Sequence, residues 1–359
     1  MTAASRPARA RALGVAALVL LASCSHGNPY YDANKPHHRP AGFQNVDPAL
    51  ALPRPLSEFL RWKWDSAFLD VAPPKRDLSP VPANLALVKL PTNHFAVTWI
   101  GHATALVQIG TVRVLTDPQF SERASPVQWA GPKRHQPPGV ALADLPHVDV
   151  VLISHNHYDH LDEGSVRALN AQQGGAPLFV VPLGLERWFQ DIGITNVRAL
   201  DWWDHLEVAG ATVTVTPVQH WSRRTLSDTN QSLWGGFVIQ AVSDGVMRRV
   251  FFAGDTGYSA QHFRAIGARL GPFDLALLPI GAYEPRWFMQ PQHVDPEEAV
   301  QIHRDIRARL SIGVHWGTFQ LTDEPLDAPV DALAAARAKF GLRDDEFIVL
   351  RHGETRVLG

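Results

Sequence analysis

The chain has 359 residues, 45% of them apolar and 19% charged, an ordinary globular balance that excludes disordered and fibrous architectures. That length can bury one large core or two small ones, and no internal repeat or block of like charge divides it. A formal charge of −2 lays no electrostatic footprint for nucleic acid, and the single cysteine excludes a disulfide within the chain.

At the N-terminus, Arg6, Arg9 and Arg11 precede an apolar run, Leu13 to Ala22, too short to span a bilayer. Leu21-Ala22-Ser23-Cys24 closes the run and resembles the lipobox of bacterial lipoproteins, where cleavage precedes a cysteine that is then acylated. The chain's one thiol stands at that point, which favours this reading over an ordinary secretory signal with a stray cysteine. Residues 1–23 are therefore expected to be a lipoprotein signal peptide and Cys24 the lipidation site. Ser25 resembles an outer-membrane sorting signal, so the expected location is the bacterial cell envelope, lipid-anchored on the periplasmic side of the outer membrane. Loss of the three arginines would take the formal charge from −2 to −5.

Residues 24–55, rich in Pro, His, Asn and Gly, read as a tether to a domain over 56–359. Phe59, Leu60, Trp62, Trp64 and Phe68 fall at helical spacing. They predict a short amphipathic helix packed on its own core, with membrane contact as the sharper alternative. Residues 71–93 read as an irregular connector. Short strands follow at Phe95–Ile100, Thr104–Ile109 and Val112–Thr116, separated by turns at Gly101 and Gly110. The apolar run Val148–Ile153 is another. Helices are expected around Gly164–Asn170 and Leu185–Asp191, and strands over Val208–Val218, Arg249–Ala253 and Leu275–Pro279. A helix over Pro296–Arg309 has Asp295 as its N-cap, and a strand covers Leu310–Val314.

The run Val148–Ile153 leads straight into His155-Asn156-His157-Tyr158-Asp159-His160. A buried strand ending in three imidazoles and a carboxylate is unfavourable unless something binds them. A mixed nitrogen and oxygen set suits zinc, iron or manganese. A solvated polar turn is the bland reading, but His220, Asp255 and His315 also follow the ends of apolar strands. Ligand sites gather at such ends in layered α/β folds. Two ions need about seven protein ligands. His155, His157 and His220 supply one set, Asp159, His160 and His315 a second, and Asp255 bridges them. His102 follows a turn glycine and reads as supporting structure. The remaining histidines, His37, His38 and His262 among them, have no partner legible in sequence.

These ligands and their flanks resemble the metallo-β-lactamase fold, and within it the N-acylphosphatidylethanolamine-hydrolysing phospholipase D family. The resemblance is carried by Trp99–Thr104, Leu115–Pro118, Leu152–Asp162, Gln219-His220-Trp221, Phe252–Tyr258, Pro279–Met289, Gln292–Val300 and His315–Phe319. It implies an α/β protein, an αβ/βα four-layer sandwich. It further implies two Zn²⁺ ions, a phospholipid substrate cleaved to phosphatidic acid and the released headgroup, and a homodimer. Asp255 and His293 are expected to carry catalysis. Gln128, Tyr158, Gln292 and His293 match positions around the phosphate, and Trp188 a position lining the acyl-chain cavity. Trp129 stands where the family has Tyr. Rival readings are a lactonase, β-lactamase or nuclease of the same fold, and a non-catalytic envelope lipoprotein. The Gly281–Met289 segment and the acidic charge oppose the former, and the complete ligand set the latter.

Overall fold

Neighbouring residues of the central strands are buried in different places. Val150 and Leu152 belong to one apolar cluster, whereas Val151 and Ile153 belong to another. Val180 and its neighbours Phe179 and Val181 divide in the same way. Strands covered on both faces must lie between two layers. The computed structural model, which describes residues 27–47, 50, 52–89 and 93–358, shows the four-layer αβ/βα sandwich that this requires. The signal-peptide residues and Cys24 lie outside the described residues.

One seven-stranded sheet runs in the order Thr355–Leu358, His94–Gly101, Thr104–Gly110, Val112–Thr116, Val150–Leu152, Leu178–Pro182, Val197–Leu200. The other runs Phe347–Val349, Ser311–Val314, Leu275–Pro279, Val246–Phe252, Gly236–Ser243, Ala211–Thr216, His205–Val208. Each is antiparallel over one half, and parallel over the other, where crossovers join successive strands. Phe95, Val97 and Trp99 of the first sheet share the main core with Val213, Phe237 and Ile239 of the second. Helices Glu163–Asn170 and Glu186–Asp191 cover the outer face of the first sheet, and Ala260–Leu270 and Pro296–Asp305 pack on the second.

Several expected elements change extent. Val208–Val218 is not one strand but the second half of a hairpin, because Ala209 and Gly210 take left-handed φ of 53° and 85° and reverse the chain. The helix after Asp295 keeps its cap, a reciprocal box with Glu298, but ends at Asp305, shortly before left-handed Arg307. The amphipathic helix runs Leu56–Ser66, starting after Pro55.

The expected tether is the largest correction. Residues 28–47 are docked on the body: His38–Arg39 pairs with Gly42–Phe43, and Phe43 joins the main core at 2% exposure. His37 and His38 both bond Asp201, at 2.7 and 2.9 Å. A proline-rich composition suggested slack chain, but buried apolar and ion-paired anchors offset the entropy of ordering it.

Candidate metal centre

The strand Val150–Leu152 delivers His155, and a tight turn from His157 to Leu161 swings Asp159 and His160 to the other side of the loop. His220, Asp255 and His315 arrive from the second sheet, after Ala211–Thr216, Val246–Phe252 and Ser311–Val314. The backbone is left-handed at His102, Asp117 and His315, with φ of 52°, 31° and 62°. Such conformations cluster where side chains must be aimed against the local preference. Gly254 is also left-handed, and a Cβ there would stand 2.5 Å from that of Ser154, so the approach to Asp255 demands glycine.

The donors fall into two sets that share Asp255. In one, His157 Nδ1 lies 2.8 Å from His155 Nε2 and 3.4 Å from His220 Nε2. Asp255 Oδ2 lies 3.9 Å from the Nε2 of both His155 and His220. In the other, Asp159 Oδ2 is 3.2 Å from His160 Nε2 and 3.3 Å from His315 Nε2. Asp255 reaches the same two rings, with Oδ2 at 3.0 Å and Oδ1 at 3.2 Å. Adjacent donors on a tetrahedral first-row ion, bonded at about 2.0–2.1 Å, stand roughly 3.3–3.4 Å apart. The spacing fits, and so does the polar accounting. His160 Nε2 and Asp255 Oδ1, which face the donor sets, are buried atoms without a hydrogen-bond partner. All seven sequence-predicted ligands are thus brought together, in a set able to hold metal.

Further residues hold the rings in place. His160 Nδ1 meets Asp117 Oδ2 at 2.6 Å, His155 Nδ1 meets Ser154 Oγ at 2.9 Å, and His220 Nδ1 donates to the Gln292 carbonyl at 3.0 Å. Each contact occupies one ring nitrogen and presents the other to the site. His102 Nε2 donates to Asp159 Oδ2 at 2.9 Å, giving that histidine a specific supporting role. Asp117 and Ser154 received no role from sequence reasoning. The one available signal was that Asp117, like the ligands, terminates an apolar strand.

The electrostatics suit cation binding. Burial drives protons off His155, His157 and His220, holding His157 at about 4 and His220 at about 3. Burial alone would raise the Asp159 and Asp255 carboxyls, but His160 and its neighbours outweigh it and keep both ionised. Burial would likewise lower His315, but Asp255 and Asp159 reverse that and push it up to about 9. His160 is raised for the same reason, chiefly by Asp255. Below pH about 9 the metal-free protein therefore carries protons that an ion must displace. Divalent-ion binding at pH 7 should release protons, and affinity should rise from pH 7 to 9. Calorimetry in buffers of contrasting ionisation enthalpy measures the release, and zero release would contradict the charge state described.

A cavity of about 550 Å³ opens above the donors. His157, Asp159, Asp255 and His293 lie at its floor, and Phe59, Trp62, Phe288 and Met289 form an apolar wall. Tyr158 and Gln292 line it, as expected, although Gln292 Oε1 accepts from Trp221 Nε1 at 2.7 Å. Two expectations are corrected. Gln128 is exposed on its loop and spends its amide on the Arg123 backbone, so it is not brought to the cavity. Trp188 lines a neighbouring cavity of about 460 Å³. Tyr158 lines both cavities, and the Arg224 guanidinium lies 4.1 Å from its ring and 4.9 Å from that of Trp188.

A family model described as the β-lactamase superfamily domain matches residues 112–316. The chain is 44% identical over 268 residues to N-acyl-phosphatidylethanolamine-hydrolyzing phospholipase D 1 of Caenorhabditis elegans, covering 72% of this chain and 74% of that protein. It is 37% identical to the mitochondrial N-acyl-phosphatidylethanolamine-hydrolyzing phospholipase D of Saccharomyces cerevisiae, covering 69% of this chain and 53% of that one. Among solved structures, a metallo hydrolase from the archaeon Ignicoccus hospitalis shares the fold, with a TM-score of 0.56 at 22% identity over 74% of this chain and 98% of that chain.

Proposed function

We propose, from the premise that this chain belongs to the N-acyl-phosphatidylethanolamine-hydrolysing phospholipase D family of the β-lactamase superfamily, that it hydrolyses N-acylphosphatidylethanolamine to phosphatidic acid and an N-acylethanolamine. The observation that carries this reading is the cavity itself. A charged donor floor faces an apolar aromatic wall in one pocket, matching a phosphodiester joined to acyl chains. Two Zn²⁺ would be held at this floor, one by His155, His157 and His220 and one by Asp159, His160 and His315, with Asp255 available to both. Bound there, the ions would supply Lewis acidity and make water nucleophilic near neutral pH. The chain's own part is positioning. Asp117, Ser154 and Gln292 orient the ligand rings, and Phe59, Trp62 and Phe288 exclude bulk water from the wall. His293 faces the floor with Nδ1 3.8 Å from Asp255 Oδ2, poised to donate to a phosphoryl oxygen. Incubating the mature chain with a phospholipid extract containing this substrate should yield both products by mass. Diacylglycerol with a phosphorylated headgroup, or no cleavage, would overturn the reading.

Contact with a bilayer is part of the same proposal. The helix Leu56–Ser66 lends Leu56, Phe59 and Trp62 to the cavity, while Trp64 and nearby Phe68 stand 70% and 75% exposed. An aromatic patch beside a lipid-sized mouth suits the headgroup boundary. Trp64→Ser with Phe68→Ser should weaken vesicle binding at least tenfold, at about 1.5–3 kcal/mol for each aromatic withdrawn from water. Turnover of a short soluble diester should be unchanged, and equal vesicle binding would refute the patch. No helix among the described residues is long and apolar enough to cross a membrane. Anchoring at Cys24, in the envelope of a bacterium, rests on the Leu21–Cys24 motif. Cys24→Ala should abolish incorporation of labelled palmitate and release the chain from membranes; wild-type protein that takes up no label would refute it. A homodimer belongs to the same proposal, and sedimentation tests it.

A further inference from the structure

The docked N-terminal strap ends at the metal centre. Asn45 is 4% exposed, and its amide grips both backbone groups of His220: Nδ2 donates to the carbonyl at 2.8 Å, and Oδ1 accepts from the N–H at 3.2 Å. The two residues are 175 positions apart in sequence. His220 belongs to no regular element, so no ladder fixes its backbone. With its side chain tied to the Gln292 carbonyl and its main chain to Asn45, the ring is held at both ends.

The strap is itself stapled upstream and downstream. Lys35, His37 and His38 converge on the Asp201 carboxylate, and His37 stacks on Trp202 with centroids 4.3 Å apart. His37, His38 and Asp201 have metal-like spacing, but the facing nitrogens are both bonded to the carboxylate and the Lys35 ammonium caps it, so the group serves as an anchor. Downstream, Phe43 N donates to the Asn230 carbonyl at 2.8 Å, and Asn230 donates to the Leu52 carbonyl at 3.0 Å. Asn230 Oδ1 also accepts from Ser222 N at 3.1 Å, two residues beyond His220. The downstream part of the strap thus holds the segment that carries this ligand, while the upstream part is fixed to Asp201.

We propose that Asn45 is a positioning residue of the metal centre, setting His220 against His155 and His157, so that the N-terminal strap completes the site. This rests on the reading that those three histidines hold an ion. Asn45 touches none of the donor atoms; it acts through the main chain of His220. Loss of its amide would strand a buried N–H and C=O and free the ring to drift. The ion of the His155, His157 and His220 set should be affected, and the ion of the Asp159, His160 and His315 set spared.

The test uses the mature chain, its Asn45→Ala variant and Asn45→Asp, which keeps the acceptor and loses the donor. Zinc content and chelator competition should show two ions in wild type. In Asn45→Ala one ion should bind about 10–100-fold more weakly while the other is unchanged. Asn45→Asp should fall between, and it supplies the comparison if the alanine variant does not fold. In metal-free protein, amide exchange at His220 should accelerate in Asn45→Ala relative to wild type. A lowered melting temperature with both affinities unchanged and unaltered His220 exchange would reduce Asn45 to a staple and overturn the proposal. Wild type without bound metal would instead fault the functional reading, and the exchange measurement would still judge the contact.

Discussion

Asp255→Asn should abolish turnover, by on the order of 10³-fold or more, which is about 4 kcal/mol in the barrier. Among the described residues its carboxylate alone lies near both donor sets, Oδ2 3.0 Å from His160 and 3.9 Å from His155 and His220, and Oδ1 3.2 Å from His315. An amide keeps the shape, removes the charge, and turns an N–H toward one donor set. Metal content should fall with activity, while circular dichroism reports an intact core. In the metal-free variant His315 should titrate well below about 9, because the carboxylate that raises it is gone. Full metal loading with near-normal turnover would show that Asp255 does not join the two sets.

His293→Ala should cut kcat by roughly 10²–10³-fold, the range for removing one aimed hydrogen-bond donor. Both ions should remain, because none of the seven ligands depends on it. Burial holds the His293 imidazole at about 3, so it is neutral from pH 5 to 9. The pH profile of the variant should therefore keep both limbs of the wild-type curve. Disappearance of one limb would mean that His293 titrates as a general acid or base instead. A raised KM at constant kcat would mean uniform substrate binding, and no change in either constant would remove it from the reaction.

The candidate donors were legible because four of them end apolar runs and the other three follow His155 in the same loop, where a buried charge stands out against its surroundings. His155, His220, Asp255 and His315 needed only that local contrast. Asp117 and Asn45 act by touching another residue, and nothing nearby in sequence marks a partner 43 or 175 positions away; Ser154 stands beside His155, but a serine there carries no charge to stand out. The strap was misread for a related reason. Its histidines look solvated until Asp201 is placed against them. The sandwich was legible through the family resemblance, whereas the hairpin at Ala209-Gly210 was lost inside a continuous apolar alternation. Gln128 and Trp188 were placed by resemblance alone, and a loop and a helix carry them elsewhere.

The seven donors are unevenly owned. His155, His157, Asp159 and His160 hang from the first sheet; His220, Asp255 and His315 hang from the second. Any ion shared among them is a rivet across the seam of the sandwich, and its binding energy is added to the cohesion of the two halves. At a free concentration a hundred times the dissociation constant, each such ion contributes about 2.7 kcal/mol to the folded state. A chelator would then act as a mild denaturant with a preferred address. The melting temperature should fall on stripping and recover on readdition, and exchange should quicken first along the strand ends that meet at the seam. Thermal endurance in this protein would thus be set in part by the trace-metal content of its surroundings, a property that no inspection of the hydrophobic core would reveal.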